Sequence, residues 1–464
     1  MNGRLPSGNR HLDAILNGGL LMNAINLIVG IPGSGKTILS QQIAFHNATS
    51  ERPALFLSTL SEPLDKVLRY AESLQFFDRA AVNDRRIVYE DMGQVLGEHG
   101  LDEVMEYVDR FLKDVKPGVV VIDSFRAFHA LAPDVSSFRR FLYALTRRLT
   151  AASTTSIWNA PYSRAQAVDE AEFAVADGII ALDLKLVAAR ELRVLQVLKL
   201  RGSGFQSGEH GYRITDAGLV VFPRLADVRD QTRYELSAGR SESGIAALDD
   251  LLGGTGYWSG AATLIVGPSG IGKTLMGLHF LYEGARVGEP GVLATFQENA
   301  SQLSRIAASF GWSIEDKNVN VISRSLVDIN IDEWVYDLLG LVEATNSKRV
   351  VIDSLSDLLT AAVDPVRFRE WMSSLIQRFT RAGVSLMVTN EVPDLFQLQR
   401  ISDEAISHLA DNVVLLQYVR EGAELARTLT VLKTRAMPHR PLIHRYEITN
   451  QGFVLGDVVV PLTG

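Results

Sequence analysis

The sequence predicts an α/β protein with two tandem domains, each a mostly parallel sheet flanked by helices. Three observations lead to this fold class. The chain has 464 residues, more than one ordinary domain uses. Its second half repeats the motifs of its first half in the same order. Within each half, short β-branched runs alternate with amphipathic helical segments, as in parallel sheets covered by helices. Hydrophobic residues make up 47% of the chain, enough for sizeable cores.

The internal repeat extends over both halves. LDAILNGGL at 12–20 resembles LDDLLGGTG at 248–256, and VVVID, FRRFLYALTRRL, AVADGIIAL, VLKLRG and YRITDAGLVVF each have a later counterpart. The matching blocks lie half a chain apart, so the repeating unit is a whole domain and not a short solenoid repeat. We predict a first domain at 1–224, a polar and charged linker at 225–240, and a second domain at 241–464.

Five apolar runs of the first half have strand character: NLIVG, ALFLST, VVVID, TSIWN and GIIALDL. The segment 101–115 has apolar residues at helical spacing. Later in each half, two further strands separated by tight turns predict an antiparallel edge on the parallel sheet.

Each half contains one glycine-rich phosphate loop between a predicted strand and a predicted helix. GIPGSGKT at 30–37 and GPSGIGKT at 267–274 both fit G-x-x-x-x-G-K-[ST], a motif in which backbone N–H groups and a helix N-terminus surround phosphate oxygens. A chance match is improbable for two loops in the same context. The predicted nucleotide-binding residues are Gly30, Pro32, Gly33, Ser34, Gly35, Lys36, Thr37 and Ile38, and Gly267, Ser269, Gly270, Ile271, Gly272, Lys273, Thr274 and Leu275.

The chemistry of these loops assigns roles to several side chains. Lys36 and Lys273 can reach the β- and γ-phosphates of ATP, and Thr37 and Thr274 are candidate Mg²⁺ ligands. Asp123 and Asp353 end buried runs and are predicted on the Mg²⁺ side of each site, since an unpaired buried carboxylate is costly. The alternative is that each aspartate caps a helix.

Hydrolysis also requires a group that orients or deprotonates water. Glu62 and Glu298 follow the strand after each loop helix and are the candidates. They are out of register, because Glu298 falls opposite Ser61. A solvated surface glutamate is the competing interpretation for each.

Composition excludes several other classes of site. The chain has no cysteine, which excludes disulfides and thiolate metal sites and fits a reducing compartment. We find no signal peptide and no apolar run long enough for a bilayer, and therefore expect a cytoplasmic protein with no membrane association. The net charge of −8 argues against a broad nucleic-acid surface. His439 and His444 lack the partners of a structural metal site.

The quoted motifs resemble the KaiC family, within the RecA/RadA group of phosphate-loop ATPases, over nearly the whole chain. The most specific are GSGKT, ADGIIAL and VLKLRG in the first half, and LDDLLGG, LADNVVLLQYV and YEIT in the second. The resemblance implies two RecA-like domains, a two-tier homohexamer, and ATP at subunit interfaces. It also implies cations that act across the interface, which map onto Lys199, Arg201, Lys433 and Arg435. Solvation of an edge strand is the alternative role for these four residues.

Three departures from the circadian clock members of the family matter. The paired carboxylates of the family are reduced to Glu62 in one half and Gln297-Glu298 in the other. The family's Ser-Thr phosphorylation pair falls on Ser407 and His408, so only single-site autophosphorylation at Ser407 remains. The chain ends soon after the last shared strand, and we expect it to lack the family's partner-recruiting C-terminal tail.

Three functions compete at this point. The first is a regulatory, two-domain hexameric ATPase with Mg²⁺·ATP in both halves, an autokinase activity at Ser407 and an unidentified regulatory protein partner. The second is a DNA-dependent recombinase-like ATPase, against which the net charge argues. The third is a scaffold whose assembly is gated by nucleotide. The displaced Glu62 leads us to predict that the first half supports assembly and that the second carries chemistry.

Overall fold

The structure is a computed structural model. It describes residues 3–59, 64–163, 170–187, 190–225, 238–325, 330–362, 364–393, 406–435, 439 and 441–459. The chain divides into two units, residues 1–227 and 228–464. Most of the predicted linker, and the whole of residues 60–63 with Glu62, lie outside the described residues.

The first unit contains the following elements in chain order. They are β1 (Arg4–Leu5), α1 (Arg10–Ile15), β2 (Leu20–Leu21), β3 (Ile25–Val29), α2 (Lys36–Asn47), β4 (Ala54–Ser58), α3 (Leu64–Ala71), α4 (Arg79–Asn83), β5 (Ile87–Asp91), α5 (Gly93–Asp114), β6 (Val119–Asp123), α6 (Arg126–Leu131), α7 (Val135–Ala151), β7 (Thr155–Ala160), α8 (Ala171–Val175), β8 (Gly178–Val187), β9 (Arg190–Leu200), β10 (His210–Thr215) and β11 (Gly218–Phe222).

The second unit follows a similar order, with one helix where the first unit has α3 and α4 and a 3-10 turn where it has α8. Its elements are β12 (Arg240–Ser241), α9 (Ala246–Leu251), β13 (Tyr257–Trp258), β14 (Ala262–Gly267), α10 (Lys273–Arg286), β15 (Gly291–Thr295), α11 (Ala300–Ser309), β16 (Val319–Ser323), α12 (Ile331–Ala344), β17 (Arg349–Asp353), α13 (Leu355–Ala362), α14 (Pro365–Arg381), β18 (Ser385–Glu391), a 3-10 turn (Ile406–His408), β19 (Asn412–Glu421), β20 (Glu424–Lys433), β21 (His444–Thr449) and β22 (Gly452–Val458).

Each unit is built around one nine-stranded sheet. The strand order is β11-β10-β9-β8-β3-β7-β6-β4-β5 in the first unit, and the second has the equivalent order β22-β21-β20-β19-β14-β18-β17-β15-β16. In the first unit, the neighbouring strands β8, β3, β7, β6, β4 and β5 pair in parallel. The strands β8, β9, β10 and β11 pair antiparallel. The predicted α/β class, with an antiparallel edge on a mostly parallel sheet, is confirmed.

The central strands β3 and β7 are buried along their whole length because helices cover both faces of the sheet. All five residues of β3 are buried. Ile28 packs in a core with Leu39 of α2, whereas Leu27 packs in a second core with Phe138 and Leu142 of α7. Each such side chain contributes about 1.5–3 kcal/mol when it leaves water. Because these strands pair in parallel, their carboxyl ends meet at the same end of the sheet, where ligands of such sheets bind.

No helix in the described part of the chain combines the length and the apolar character that crossing a bilayer would need.

Candidate nucleotide sites

The first loop leaves the carboxyl end of β3 and enters α2. Gly33 and Gly35 have φ values of 80° and 94°, in the left-handed region that favours glycine. A Cβ on Gly30 would lie 2.2 Å from the Leu182 carbonyl oxygen, so the chain passes too close to β8 for a side chain there. Gly35 caps α2 without a side-chain hydrogen bond, which leaves the first N–H groups of the helix directed at the loop.

The second loop has the same construction. Gly270 and Gly272 have φ values of 73° and 110°, and Gly272 caps α10 without a side-chain hydrogen bond. A Cβ on Gly267 would lie 2.7 Å from the Leu416 carbonyl oxygen of β19. Both loops therefore present a helix N-terminus within a turn that only glycine can form, which suits a bound phosphate.

The other predicted binding residues surround these glycines. Pro32 and Ser269 are exposed at the loop tips, Ser34 and Ile271 are buried beneath them, and Ile38 and Leu275 lie in the first turn of α2 and α10.

The two loop lysines lie inside their loops. The Lys36 ammonium donates to the carbonyls of Gly30 (2.7 Å) and Ile31 (3.0 Å), and Lys273 donates to the Pro268 carbonyl (2.8 Å). Burial lowers the pKa of both lysines, partly offset by carboxylates nearby. A largely dehydrated cation held this way gains strongly from a phosphate anion.

Each loop threonine is joined to the aspartate predicted for its site. Thr37 Oγ1 donates to Asp123 Oδ2 at 2.6 Å, and Thr274 Oγ1 donates to Asp353 Oδ2 at 2.6 Å. Thr389 donates to the other carboxylate oxygen of Asp353. The helix-capping alternative does not describe Asp123, because the N-cap of α6 is Phe125.

These hydroxyl and carboxylate oxygens suit a hard cation. Mg²⁺ is commonly held by one or two protein oxygens together with substrate phosphates and water. Among the described residues, no cluster of three or more His, Cys, Asp or Glu side chains could hold a metal ion. Thr37 with Asp123, and Thr274 with Asp353, would hold Mg²⁺ beside a bound nucleotide. There it would neutralise phosphate charge.

The candidate water-activating carboxylates differ between the halves. In the sheet Ser58 pairs with Asp123 and Thr295 pairs with Asp353, so Ser58 and Thr295 occupy equivalent positions. Three residues further on, Glu298 corresponds to Ser61, as the sequence indicates. Glu298 is half-buried and accepts a hydrogen bond from Thr295 Oγ1 at 2.9 Å.

The environment of Glu298 favours its protonated form. Burial raises the pKa of Glu298, and the neighbouring charge of Asp353 raises it further, with a smaller contribution from Asp357. A glutamate with a raised pKa is a stronger proton acceptor once it is ionised. Gln297, beside Glu298 in the chain, carries no charge, and its amide donates a hydrogen bond to Asp357 at 3.0 Å.

Two tyrosines that were not predicted as site residues each donate a hydrogen bond to a backbone carbonyl of a loop. Tyr212 Oη on β10 donates to the Ser34 carbonyl at 2.7 Å, and Tyr446 Oη on β21 donates to the Ile271 carbonyl at 2.6 Å. Both tyrosines open the repeated YRIT and YEIT blocks. Their recurrence was the available signal, but nothing local to a β-strand tyrosine connects it with a loop so far away in sequence.

A second loop carbonyl is held differently in the two halves. The Arg193 guanidinium donates to the Gly33 carbonyl at 2.9 Å, whereas in the second half the Tyr418 hydroxyl donates to the Gly270 carbonyl at 3.2 Å. The first loop therefore has a cation at a place where the second has a neutral hydroxyl.

The four predicted interface cations lie away from the loop of their own half. β8 begins beside Asn26, at the amino end of β3, and Lys199 pairs with Ile179 near that end. Arg201 is the first residue after β9, and its guanidinium forms an ion pair with the Asp177 carboxylate at 3.3 Å. The loop follows the carboxyl end of β3. These cations therefore lie at the other end of the sheet, where the parallel strands begin.

The second half repeats this arrangement around Ser407. The Lys433 ammonium donates to the carbonyls of Ser407 (3.2 Å) and Ala410 (2.6 Å), and Arg435 donates to the His408 carbonyl at 2.7 Å. In the first half, Lys199 donates to the Phe173 carbonyl at 3.0 Å. Phe173 thus stands where the second half has Ser407, so a side-chain hydroxyl is found beside the cation pair in the second half and not at that position in the first.

Comparison with known proteins agrees with this geometry. A family model described as "ATPase: KaiC" matches residues 5–226 and 241–458. The circadian clock oscillator protein KaiC of Rippkaea orientalis is 29% identical over 460 residues, which is 96% of this chain and 87% of that protein. The protein of the same name in Picosynechococcus is 29% identical over 461 residues, covering 96% and 88% of the two chains. KaiC 1 of Synechocystis is 29% identical over 455 residues, covering 95% and 86%.

Proposed function

The chain belongs to the KaiC ATPase family, and on that premise we propose that it is a regulatory ATPase whose second half carries most of the turnover. The first half binds Mg²⁺·ATP mainly to support assembly. The observation that supports unequal roles is Glu298. This half-buried carboxylate lies near Lys273 and Asp353, as their mutual influence on pKa reflects, while its first-half counterpart is Ser61.

The chemistry proposed for the second half uses residues already described. Lys273 and the N–H groups at the start of α10 bind the phosphates and stabilise charge that develops on them. Glu298 takes the proton of the attacking water. Asp353 holds Thr274 in place for Mg²⁺.

We propose a homohexamer in which the interface cations act on the nucleotide of a neighbouring subunit. Support comes from Lys199, Arg201, Lys433 and Arg435, which face the sheet edge opposite their own loops and so are poorly placed to serve them. Light scattering after size exclusion, with and without Mg²⁺·ATP, tests this assembly. A monomer under both conditions would contradict it.

Ser407 is the proposed autophosphorylation site. Lys433 contacts the backbone of Ser407, so a neighbouring γ-phosphate engaged by Lys433 would come close to its hydroxyl. Incubation with γ-labelled ATP should label the wild-type chain and leave Ser407→Ala unlabelled. Equal labelling of both chains would show that the phosphate goes elsewhere.

A nucleotide-gated scaffold without turnover is the second candidate, and the serine at position 61 favours it for the first half alone. We also propose a regulatory protein partner. We propose no nucleic-acid ligand, since the net charge is −8. Salt-sensitive binding of single-stranded DNA would reverse the second part of this proposal.

A further inference from the structure

The end of β18 brings an acidic side chain to the second loop. In the sheet Gly267 pairs with Glu391, so the last residue of β18 lies beside the first residue of the loop. The Glu391 Oε2 atom is 3.6 Å from the Lys273 ammonium nitrogen. Lys273 is 7% exposed and Glu391 is 40% exposed, so the pair stands at the mouth of the loop, with the lysine inside.

The first half has a different residue at this position. Val29 pairs with Ala160 and Val266 pairs with Asn390, so Glu391 corresponds to Pro161. Lys36 is held by two backbone carbonyls, and within the described part of the first half no carboxylate lies within salt-bridge distance of it. Because proline carries no charge, the carboxylate at this sheet position belongs to the second loop and not to the loop motif.

The carboxylate of Glu391 lies where it would repel the terminal phosphate of a bound triphosphate. The loop lysine reaches the β- and γ-phosphates, so a carboxylate 3.6 Å from its ammonium lies close to where the terminal phosphate must go. Two anions that share one cation repel each other, and the repulsion is strong where water is scarce. Glu298 already supplies negative charge to the same region, and both carboxylates affect the pKa of Lys273.

We propose that Glu391 is a specificity-determining residue of the second site, which competes with the terminal phosphate for Lys273 and so weakens the binding of ATP more than that of ADP. This inference rests on the function proposed above, because it assumes that the second loop binds ATP. Its effect is to make the nucleotide at the second site exchange more readily, while the first site, with Pro161, retains ATP.

The experiment uses the full chain with Lys36→Ala, which leaves one intact loop lysine. Binding of N-methylanthraniloyl-ATP and N-methylanthraniloyl-ADP is followed by fluorescence, with and without Glu391→Gln. The neutral amide should tighten ATP about tenfold and ADP clearly less, so the ATP/ADP preference rises. Glu391→Asp, which keeps the charge, should bind both nucleotides much as the parent chain does.

A matched control is Glu424→Gln, which removes an exposed carboxylate at the start of β20 and should leave both affinities unchanged. In the chain with both lysines, Glu391→Gln should lower KM for ATP, whereas loss of a catalytic base would lower kcat by orders of magnitude at similar KM.

The outcomes separate this inference from the proposed function. Unchanged or weaker ATP binding in Glu391→Gln, or equal tightening of ATP and ADP, would overturn the competition while the ATPase stands. If the Lys36→Ala chain bound neither nucleotide with or without Glu391, both proposals would fall.

Discussion

Lys36 and Lys273 occupy the same place in two copies of one loop, yet they face different charges. Among the described residues, the Lys36 ammonium donates to backbone carbonyls alone, and Arg193 binds the carbonyl of Gly33 at the loop tip. Lys273 faces Glu391 and lies within the influence of Glu298. In the part of each half that the structure describes, the surroundings of the first loop are thus the more positive, which suits retention of ATP. The comparison teaches that a duplicated motif can keep its backbone while neighbouring strand ends redirect its chemistry.

The largest expected effect comes from removing each loop lysine in turn. Lys273→Ala should lower ATP hydrolysis at least 100-fold, because the proposed chemistry depends on that cation. Lys36→Ala should mainly break the ring, and its hydrolysis should fall only as far as turnover at the second site depends on cations from a neighbouring subunit. Phosphate release and light scattering on both variants check this. Equal loss of hydrolysis with intact rings in both would end the distinction between the halves.

Glu298→Gln should reduce hydrolysis by about 10²–10⁴-fold with little loss of ATP binding, since the amide cannot take a proton. The base must be ionised, and burial raises the pKa of Glu298. The wild-type rate should therefore fall on acidification at a higher pH than an ordinary glutamate would cause. That acid limb should be absent from the residual activity of the variant. A variant with wild-type rate and an unchanged pH profile would remove Glu298 from the mechanism.

The halves should also differ in acid stability. His279 on α10 is buried and accepts the Phe453 N–H at 3.4 Å, while Gln42, its counterpart on α2, accepts the Leu219 N–H at 3.0 Å. Burial lowers the pKa of His279 to about 4 from 6.5. Below pH 6.5 the unfolded state binds the proton first, so this stabilisation is present above pH 6.5 and is lost as the pH falls toward 4.

We expect the second half to lose up to about 3 kcal/mol of its free energy of unfolding over this range. Urea unfolding followed by tryptophan fluorescence suits the measurement, because four of the five tryptophans lie in the second half. His279→Gln should remove much of the acid sensitivity, and Gln42→His should introduce it into the first half. Identical pH dependence in wild type and His279→Gln would contradict the assignment.

The smallest effect tests whether the loops are held alike. Tyr212→Phe and Tyr446→Phe each delete one hydrogen bond to a loop carbonyl and should cost about 1 kcal/mol, seen as roughly fivefold weaker ATP binding at the affected site. The two losses should be similar, because the geometry is the same in both halves. A much larger loss at one site would indicate that its loop depends on the tether and the other does not.

Sequence reasoning predicted the fold because the strongest signals were local or repeated. The loops lie between strand and helix as expected, and apolar runs such as VVVID became central strands that end at Asp123 and Asp353. The displaced register of Glu298 could also be read, since the ends of buried strands are well marked in the sequence.

Other parts of the site depend on which strands become neighbours. Glu391 belongs to no loop motif and approaches Lys273 only because β18 lies beside β14. Tyr446 reaches the second loop from a strand at the far end of its half. Pairings over such sequence separations follow from the complete sheet and not from the spacing of residues.

The hydrogen bonds from Tyr212 and Tyr446 determine when each loop can be completed during synthesis of the chain. Ser34 is held by Tyr212, and Ile271 by Tyr446, so each loop receives its last support from residues near the end of its own half. At about 5–20 residues per second, a ribosome would supply the first tether roughly 10–50 s before the second. A nascent chain could thus hold nucleotide on its first half while the second half is still being made.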